Sequence, residues 1–376
     1  MPHVDFYPAL SDELSNEEKF VILCSHKEIP EKQKNEASSL VDHWDPDWDQ
    51  LLELADYCKV TPLVYKNLQT FEIKVPDGVT MQLRERAGGV LARNVIYKKF
   101  IVSLADLFRE ARVDVLFLKG AALMPEVYGD PGLRMFSDVD ILIKEEDMLK
   151  VKSLLGEKGL TEHVEGSVSD KYRSQRMFSL NGKLFLDVHV DLIGRRLHNK
   201  FQGIDWDSMW SNKRKVALDD IEFYALDPVH AILYHCVHLS MHHSFSGLSS
   251  YVDVNEMIRK YRDEIDWNFF LKRVRECRIK RPVYYTLLFT SRMLGTPIPD
   301  EVFEDLKGVE RGVDRWVFKK IKTDNRGTDY LAELIMFDRW QDTLKFVFLS
   351  VASYPSHFIG IFSRVTESVI GRGSKK

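Results

Sequence analysis

The spacing of apolar residues changes twice along this chain of 376 residues, near positions 111 and 226. Before the first change, apolar residues recur at three- and four-residue steps, which is typical of a helix face. Between the changes they form short runs at 113–118 and 139–143, which are typical of buried strands. Helical spacing then returns. The pattern predicts an α+β fold: a small sheet with flanking helices, preceded and followed by helical segments. The clearest helix face before the first change consists of Ile96, Phe100, Ile101, Leu104, Leu107 and Phe108.

Local signals support these elements. Asn181-Gly182 lies between two alternating runs within 176–192, and this dipeptide favours a hairpin turn in which both central residues have positive φ. Asp227-Pro228 predicts the start of a helix, because Asp caps a first turn and Pro fits within it. Thr61-Pro62 predicts another helix start, and Gly159 predicts a helix end.

The same signals divide the chain into four parts. We expect an N-terminal helical region at 1–110, an α/β core at 111–225 and a C-terminal helical domain at 226–370. Residues 371–376 are dominated by Gly and Lys, and we expect them to form a mobile tail.

Composition excludes several classes of protein. Lys and Arg total 53 against 57 for Asp and Glu, so a net charge of −4 gives no bulk attraction to long nucleic acids or anionic membranes. Four widely separated cysteines argue against a disulfide scaffold and against a thiolate zinc site. The N-terminus lacks the pattern of a signal peptide. The apolar stretch 344–362 contains Pro355, and we interpret it as a buried helix pair broken there and not as a membrane span. We therefore expect a cytoplasmic protein.

Two acidic residues lie in the second predicted strand. Side chains alternate along a strand, so Asp138 and Asp140 project from one face. Neighbouring carboxylates repel each other unless a cation lies between them, and Mg²⁺ prefers such oxygen ligands together with substrate phosphates. An Asp-x-Asp pair also occurs on solvent-exposed strands, so the spacing alone leaves both interpretations open.

The returning strand of the hairpin adds a further acidic face. Asp187, His189 and Asp191 alternate with apolar residues. A half-buried strand with one face in water explains this alternation too, and explains Asp191 well. A third carboxylate one strand away from an Asp-x-Asp pair also matches the needs of a two-metal site for phosphoryl or nucleotidyl transfer.

Taken together, these residues resemble a known family. The run Leu118-Lys119-Gly120-Ala121-Ala122-Leu123, followed by Tyr128, Arg134 and Ser137-Asp138-Val139-Asp140-Ile141-Leu142-Ile143, is similar to the uncharacterised bacterial nucleotidyltransferase-like family. That family belongs to the DNA polymerase beta-type nucleotidyltransferase superfamily. Leu186-Asp187-Val188-His189, His238-x-x-x-His242 and Asp253 extend the resemblance over roughly residues 50 to 350.

The resemblance implies a mixed sheet of the polymerase beta type and a role for each matching residue. Asp138, Asp140 and Asp187 would be catalytic and would hold two Mg²⁺ ions, with Mn²⁺ as an alternative. Lys119, Gly120, Arg134 and Ser137 would bind the nucleotide phosphates; the alternatives are a solvated strand end for Lys119 and a salt bridge for Arg134. Many active relatives have Ser after this glycine, whereas this chain has Ala121.

Four histidines form a separate cluster. His235, His238 and His242 share a helix face, with His243 next to it. We interpret His238 and His242 as lining the nucleotide or acceptor cleft, together with His189 and Asp253. A zinc site and plain helix packing are the alternatives.

The resulting hypothesis is an Mg²⁺-dependent enzyme that moves a nucleoside monophosphate from NTP to an acceptor hydroxyl on a small molecule or a protein. The alternatives are a non-catalytic nucleotide-binding or adaptor protein with the same fold, and a phosphotransferase. The sequence names neither the acceptor nor the base of the nucleotide.

Overall fold

The computed structural model describes residues 14–70, 75–163, 175–192, 206–314, 317–318 and 334–353. The strands in these ranges are β1 (Val115–Leu118), β2 (Asp138–Ile143), β3 (Leu160–His163), β4 (Gln175–Leu180), β5 (Leu184–His189), β6 (Arg214–Leu218) and β7 (Ile221–Ala225).

Helices surround these strands on both sides along the chain. Before the sheet lie α1 (Asn16–Leu23), α2 (Glu31–Asp42), α3 (Trp48–Tyr57), α4 (Thr61–Leu68) and α5 (Asp77–Glu110). Within the sheet region lie α6 (Lys119–Leu123), a π-helical turn (Met124–Tyr128), a 3₁₀ turn (Glu145–Asp147), α7 (Met148–Glu157) and α8 (Trp206–Ser211). After it lie α9 (Pro228–Met241), α10 (Leu248–Lys260), α11 (Trp267–Cys277), α12 (Lys280–Leu294), α13 (Asp300–Leu306) and α14 (Trp340–Ser353).

The strands form one mixed sheet in the order β3-β4-β5-β2-β1-β7-β6. β2 pairs in parallel with β5, and β1 pairs in parallel with β7. The other neighbouring pairs are antiparallel. The predicted α+β fold is therefore confirmed, with a mixed sheet flanked by helices and helical segments at both ends.

The local turn and cap signals act as predicted. Asn181 and Gly182 have φ values of 54° and 65°, and the Lys183 amide donates to the Leu180 carbonyl (3.1 Å), which joins β4 to β5. The Asp227 side chain accepts hydrogen bonds from the first-turn amides of α9. These contacts fix where the acidic strand β5 and the histidine-bearing helix α9 begin.

Two hydrophobic clusters cover opposite faces of the sheet. On one face, the second half of α5 and α7 pack against residues such as Phe117 and Ile141. On the other face, α9 to α12 and the helices α1 to α4 form a larger cluster that includes Leu116 and Leu142. Since side chains alternate, Asp138 and Asp140 share the face of Leu142, which is turned toward the C-terminal helices.

Two helix faces differ from their predictions. Ile96 was expected on the buried face of α5, but it is 54% exposed while its neighbour Tyr97 is buried. The buried face of α5 is the one that packs on the sheet, and Tyr97 belongs to that face. The region from residue 344 is helical as far as Ser353, yet Leu344 and Phe348 are exposed, so this helix is not buried on all sides. Pro355 and the tail at 371–376 lie outside the described residues.

Within the described ranges, no helix is both long enough and apolar enough to cross a membrane. All four cysteines are buried thiols that form no disulfide within the described residues.

Candidate functional site

The candidate site begins at the junction of β1 and α6. Lys119 follows the strand without a connecting loop and has a φ of 42°, a left-handed conformation that is uncommon for a residue with a side chain. From this position its Nζ donates to Asp140 Oδ1 (2.7 Å) on β2. Backbone strain of this kind persists where surrounding contacts fix it, and here the buried ion pair is such a contact.

The parallel pairing of β2 and β5 brings the acidic residues together. Asp140 and Asp187 are direct partners in the register, and Leu142 is opposite His189. His189 Nε2 donates to Asp140 Oδ1 (3.0 Å), the same oxygen that Lys119 contacts. The ligand atoms of Asp140, Asp187 and His189 all lie within 4.8 Å of one another.

The two paired carboxylates have opposite pKa shifts. Burial acts to raise the pKa of Asp140, but the Lys119 charge and the His189 contacts outweigh it and hold that pKa well below its usual range. Burial, together with the negative charge of Asp140, raises the pKa of Asp187 to about 6. Asp140 is therefore the stable anion of the pair, and Asp187 is the carboxylate able to exchange a proton near neutral pH.

Asp187 also has unused hydrogen-bonding capacity. Its Oδ2 accepts from Gln175 Nε2 (2.5 Å), whereas its buried Oδ1 accepts no hydrogen bond from any described residue. A buried carboxylate oxygen without a donor is costly unless a ligand or ion satisfies it. The two carboxylates fit a divalent cation such as Mg²⁺ or Mn²⁺, which prefers oxygen ligands, while His189 Nε2 is engaged by Asp140.

Asp138 lies on the same face of β2 but outside this three-residue group. Burial and the charge of Asp140 raise its pKa, and the cations Lys119, Lys59 and Arg134 act against that rise. Ser137, just before it, is exposed, and its carbonyl accepts a hydrogen bond from the Tyr97 hydroxyl. The three predicted aspartates thus lie near one another, with His189 closer to the paired carboxylates than Asp138.

Arg134 is turned toward the C-terminal helices. Its Nε and Nη2 donate to Asp253 Oδ1 (2.8 Å) and Oδ2 (2.7 Å) on α10. The salt bridge that the sequence left as an alternative for Arg134 is therefore present, and Asp253 is its buried partner. Gly120 lies directly beside this guanidinium, because a Cβ at position 120 would be 2.5 Å from Arg134 Nη1 and 2.8 Å from Phe136 Cγ.

This close approach gives a stability prediction. We expect Gly120→Ala to lower the free energy of unfolding by about 1–3 kcal/mol, because the added methyl overpacks against Arg134 and Phe136. Gly156→Ala in α7 is the matched control, since a Cβ there meets no atom within 4 Å and should be neutral or stabilising by about 0.5–1 kcal/mol. Urea unfolding of both variants measures the difference. Equal stabilities would contradict the tight packing at Gly120.

The histidine-bearing end of α9 faces the same site. His238 stacks on His242 (ring centroids 5.1 Å apart) and meets His243 edge-on (4.6 Å). Burial, and next the positive charge of Lys119, hold the pKa of His238 well below its usual range and lower that of His243 to about 4. The imidazoles of His238 and His243 are therefore neutral at pH 7. The only group of metal-ligand side chains found among the described residues is the Asp140 group, so the histidines do not converge on a zinc site there.

Two residues near the site were missed by sequence reasoning. Tyr234, one turn before His238, lines a small cavity together with Lys119 and His235. Lys59, at the end of α3, acts electrostatically on both Asp138 and His243. Neither residue stands in a motif, so only their positions in the folded chain reveal them.

Asp191 differs from its prediction. It was expected at the solvated end of the strand, but β5 ends at His189 and Asp191 is buried, with only 5% of its surface exposed. The alternation stops with the strand, so the pattern no longer sets the direction of this side chain.

The comparisons with known proteins agree with this geometry. No curated protein matches the chain. The model of a family described as an uncharacterised nucleotidyltransferase matches residues 45–295, about two thirds of the chain, and this stretch includes β1, β2, β5, α9 and α10. The chain therefore belongs to the uncharacterised nucleotidyltransferase family.

Proposed function

We propose that this protein is an Mg²⁺-dependent nucleotidyltransferase that moves a nucleoside monophosphate from NTP to an acceptor hydroxyl. The observation that carries the proposal is the pairing of Asp140 with Asp187, whose buried Oδ1 has no hydrogen-bond donor in the described part of the chain. Such a pair is unfavourable in an empty protein and suits a site that binds a cation with its substrate. Membership of a nucleotidyltransferase family supports the same conclusion.

Asp138, Asp140 and Asp187 would hold the cations, and His189 would orient Asp140 through its hydrogen bond. A bound divalent cation would neutralise phosphate charge and stabilise the leaving pyrophosphate. Lys119 and Arg134 would contact phosphate oxygens, together with Ser137 and the backbone near Gly120. Asp187 would accept the proton of the attacking hydroxyl. The acceptor oxygen would then form its bond to the α-phosphorus as the bond to pyrophosphate breaks.

A calorimetric titration tests binding, and labelled nucleotides test transfer. We expect the protein to bind an NTP more tightly with Mg²⁺ than with EDTA, and to transfer label from the α-phosphate to an acceptor with release of pyrophosphate. Transfer of the γ-phosphate would indicate a phosphotransferase. Tight binding without turnover on a panel of small-molecule and protein acceptors would favour an adaptor. Ala121 stands where many active relatives have a phosphate-binding Ser, so binding without turnover is the outcome that this replacement would favour.

The cation site also predicts an unusual effect on stability. The pKa of Asp187 rises from its ordinary value of 3.8 to about 6 in the folded protein, so the folded state binds this proton more tightly than the unfolded state. The resulting stabilisation is complete below pH 3.8 and is lost as pH rises through 6. At pH 7.5 without divalent cations, we expect Asp187→Asn to be more stable than the wild type by about 1–2 kcal/mol, a value discounted for partial exposure.

Thermal unfolding in EDTA at pH 5 and pH 7.5 measures this effect. The gain should shrink at pH 5, where wild-type Asp187 is mostly protonated. Added Mg²⁺ or Mn²⁺ should stabilise the wild type more than the variant, which keeps Asp138 and Asp140 as ligands. A variant that is less stable than the wild type at pH 7.5 in EDTA would contradict the repulsion between Asp140 and Asp187.

A further inference from the structure

A buried polar network joins the candidate site to the C-terminal helices. Arg134 lies in the segment before β2, and Asp253 lies on α10, 119 residues later. The two form a bidentate pair, with Nε and Nη2 bonded to separate carboxylate oxygens at 2.8 and 2.7 Å. The Tyr128 hydroxyl, from the π-helical turn after α6, donates to the same Oδ1 (2.8 Å). Asp253 is therefore held by two groups from the sheet region of the chain.

The third nitrogen of the guanidinium is left available. Within the described residues the Arg134 side chain donates through Nε and Nη2 only, and Nη1 lies against Gly120 at the start of α6. Gly120 follows Lys119, whose ammonium contacts Asp140. The charge of Asp140 acts on Arg134, so the guanidinium lies near the paired carboxylates, and Nη1 is its one nitrogen that is not bonded to Asp253.

The backbone of Arg134 is fixed as well. Asn94, on α5, donates through Nδ2 to the carbonyls of Pro131 (2.6 Å) and Arg134 (2.7 Å). The side chain and main chain are therefore held by two different helices. Arginine has a long side chain with much rotational freedom, so such contacts remove most of the entropy that phosphate binding would otherwise cost.

We propose that Asp253 is a positioning residue for phosphate binding: it holds Arg134 so that Nη1 faces the phosphates of a nucleoside triphosphate. The phosphate contact then depends on the docking of α10 against the sheet. This inference rests on the proposed function, because it assumes that a triphosphate binds beside Asp140. In this inference Asp253, which lies on α10 and not in the sheet, sets the orientation of the Arg134 guanidinium inside the site.

The test uses the full chain and the ribonucleoside triphosphate, among the four common ones, that binds the wild type best with Mg²⁺. Asp253→Glu keeps the charge but moves the carboxylate by one methylene, so Arg134 should be displaced. We expect binding of the triphosphate to weaken about tenfold, as for the loss of one hydrogen bond to a charged group. Binding of the corresponding nucleoside, which lacks phosphates, should not change. Tyr128→Phe is the matched control: it removes a bond to the same Asp253 oxygen, leaves the Arg134 pair intact, and should change triphosphate affinity less than about threefold.

A double-mutant cycle separates positioning from a general structural role. If Asp253 acts through Arg134, then Asp253→Glu should cause no further loss of triphosphate affinity in an Arg134→Lys background. Losses that simply multiply would overturn the inference, as would a folded Asp253→Glu variant that binds like the wild type. Should Asp253→Glu fail to fold, Gly120→Ala decides, because its Cβ displaces Nη1 without touching Asp253; unchanged triphosphate affinity there also overturns it. A wild type that binds no triphosphate would refute the proposed function together with this inference.

Discussion

Asp140→Asn is expected to lower nucleotidyl transfer by about three orders of magnitude, the scale of losing a central electrostatic group in an active site. Asp140 is the fully ionised carboxylate of the site, and both Lys119 and His189 donate to its Oδ1. Asparagine keeps the shape and one acceptor oxygen but removes the charge. Cation-dependent NTP binding should therefore disappear while circular dichroism shows the fold retained.

Asp114→Asn provides the control for this substitution. Asp114 precedes β1 at the end away from Lys119 and forms exposed ion pairs with Lys213 and Lys144. Exposed pairs contribute little, so this variant should keep its affinity for Mg²⁺ and NTP. If Asp140→Asn retains cation-dependent NTP binding, the assignment of the site to β2 and β5 is wrong.

The elements that carry this site could be predicted because their signals are local. The alternation of Asp138 and Asp140 with apolar residues follows from the two-residue period of a strand, and it places both on one face without further information. The Asn181-Gly182 turn and the Asp227 cap are likewise fixed by a few adjacent residues. These features gave the fold class and the acidic strands.

The contacts that complete the site depend on pairings between distant segments. The residues around Asp140 do not predict that β2 pairs in parallel with β5. This register places Asp187 opposite Asp140 and brings His189 Nε2 to 3.0 Å from Asp140 Oδ1. The partnership of Arg134 with Asp253 depends on how α10 docks. A cation such as Arg134 or Lys119 pairs with a carboxylate or a phosphate by the same chemistry, so residue type alone cannot select between them.

Burial was the other quantity that local patterns could not give. Asp191 continues the alternation of β5 in the sequence, but the strand ends at His189 and the chain turns inward. Asp191 is therefore unsuitable as the solvent-exposed control for a substitution of Asp187. Asp219, in the turn between β6 and β7, is a better one, because it pairs with Lys98 at the surface and its φ of 53° suits asparagine as well as aspartate.

Asp187→Asn should separate catalysis from binding. Asp187 is partly buried, burial and the charge of Asp140 raise its pKa to about 6, and no described residue donates to its Oδ1. A general base of this kind contributes most when the acceptor hydroxyl loses its proton, and less to the ground-state complex. We expect kcat to fall by about 10²–10⁴-fold, the usual contribution of general acid–base catalysis, while the dissociation constant for NTP changes much less.

Single-turnover kinetics and calorimetry on the same samples measure the two quantities. Asp219→Asn carries the same chemical change outside the site and should leave both within about twofold of the wild type, as expected for a surface pair. If Asp187→Asn weakens NTP binding as much as it lowers kcat, Asp187 acts by holding the nucleotide and its cation. If it changes neither, β5 serves only as a scaffold, and the proton must be accepted by Asp138, the remaining carboxylate on this face whose pKa is raised.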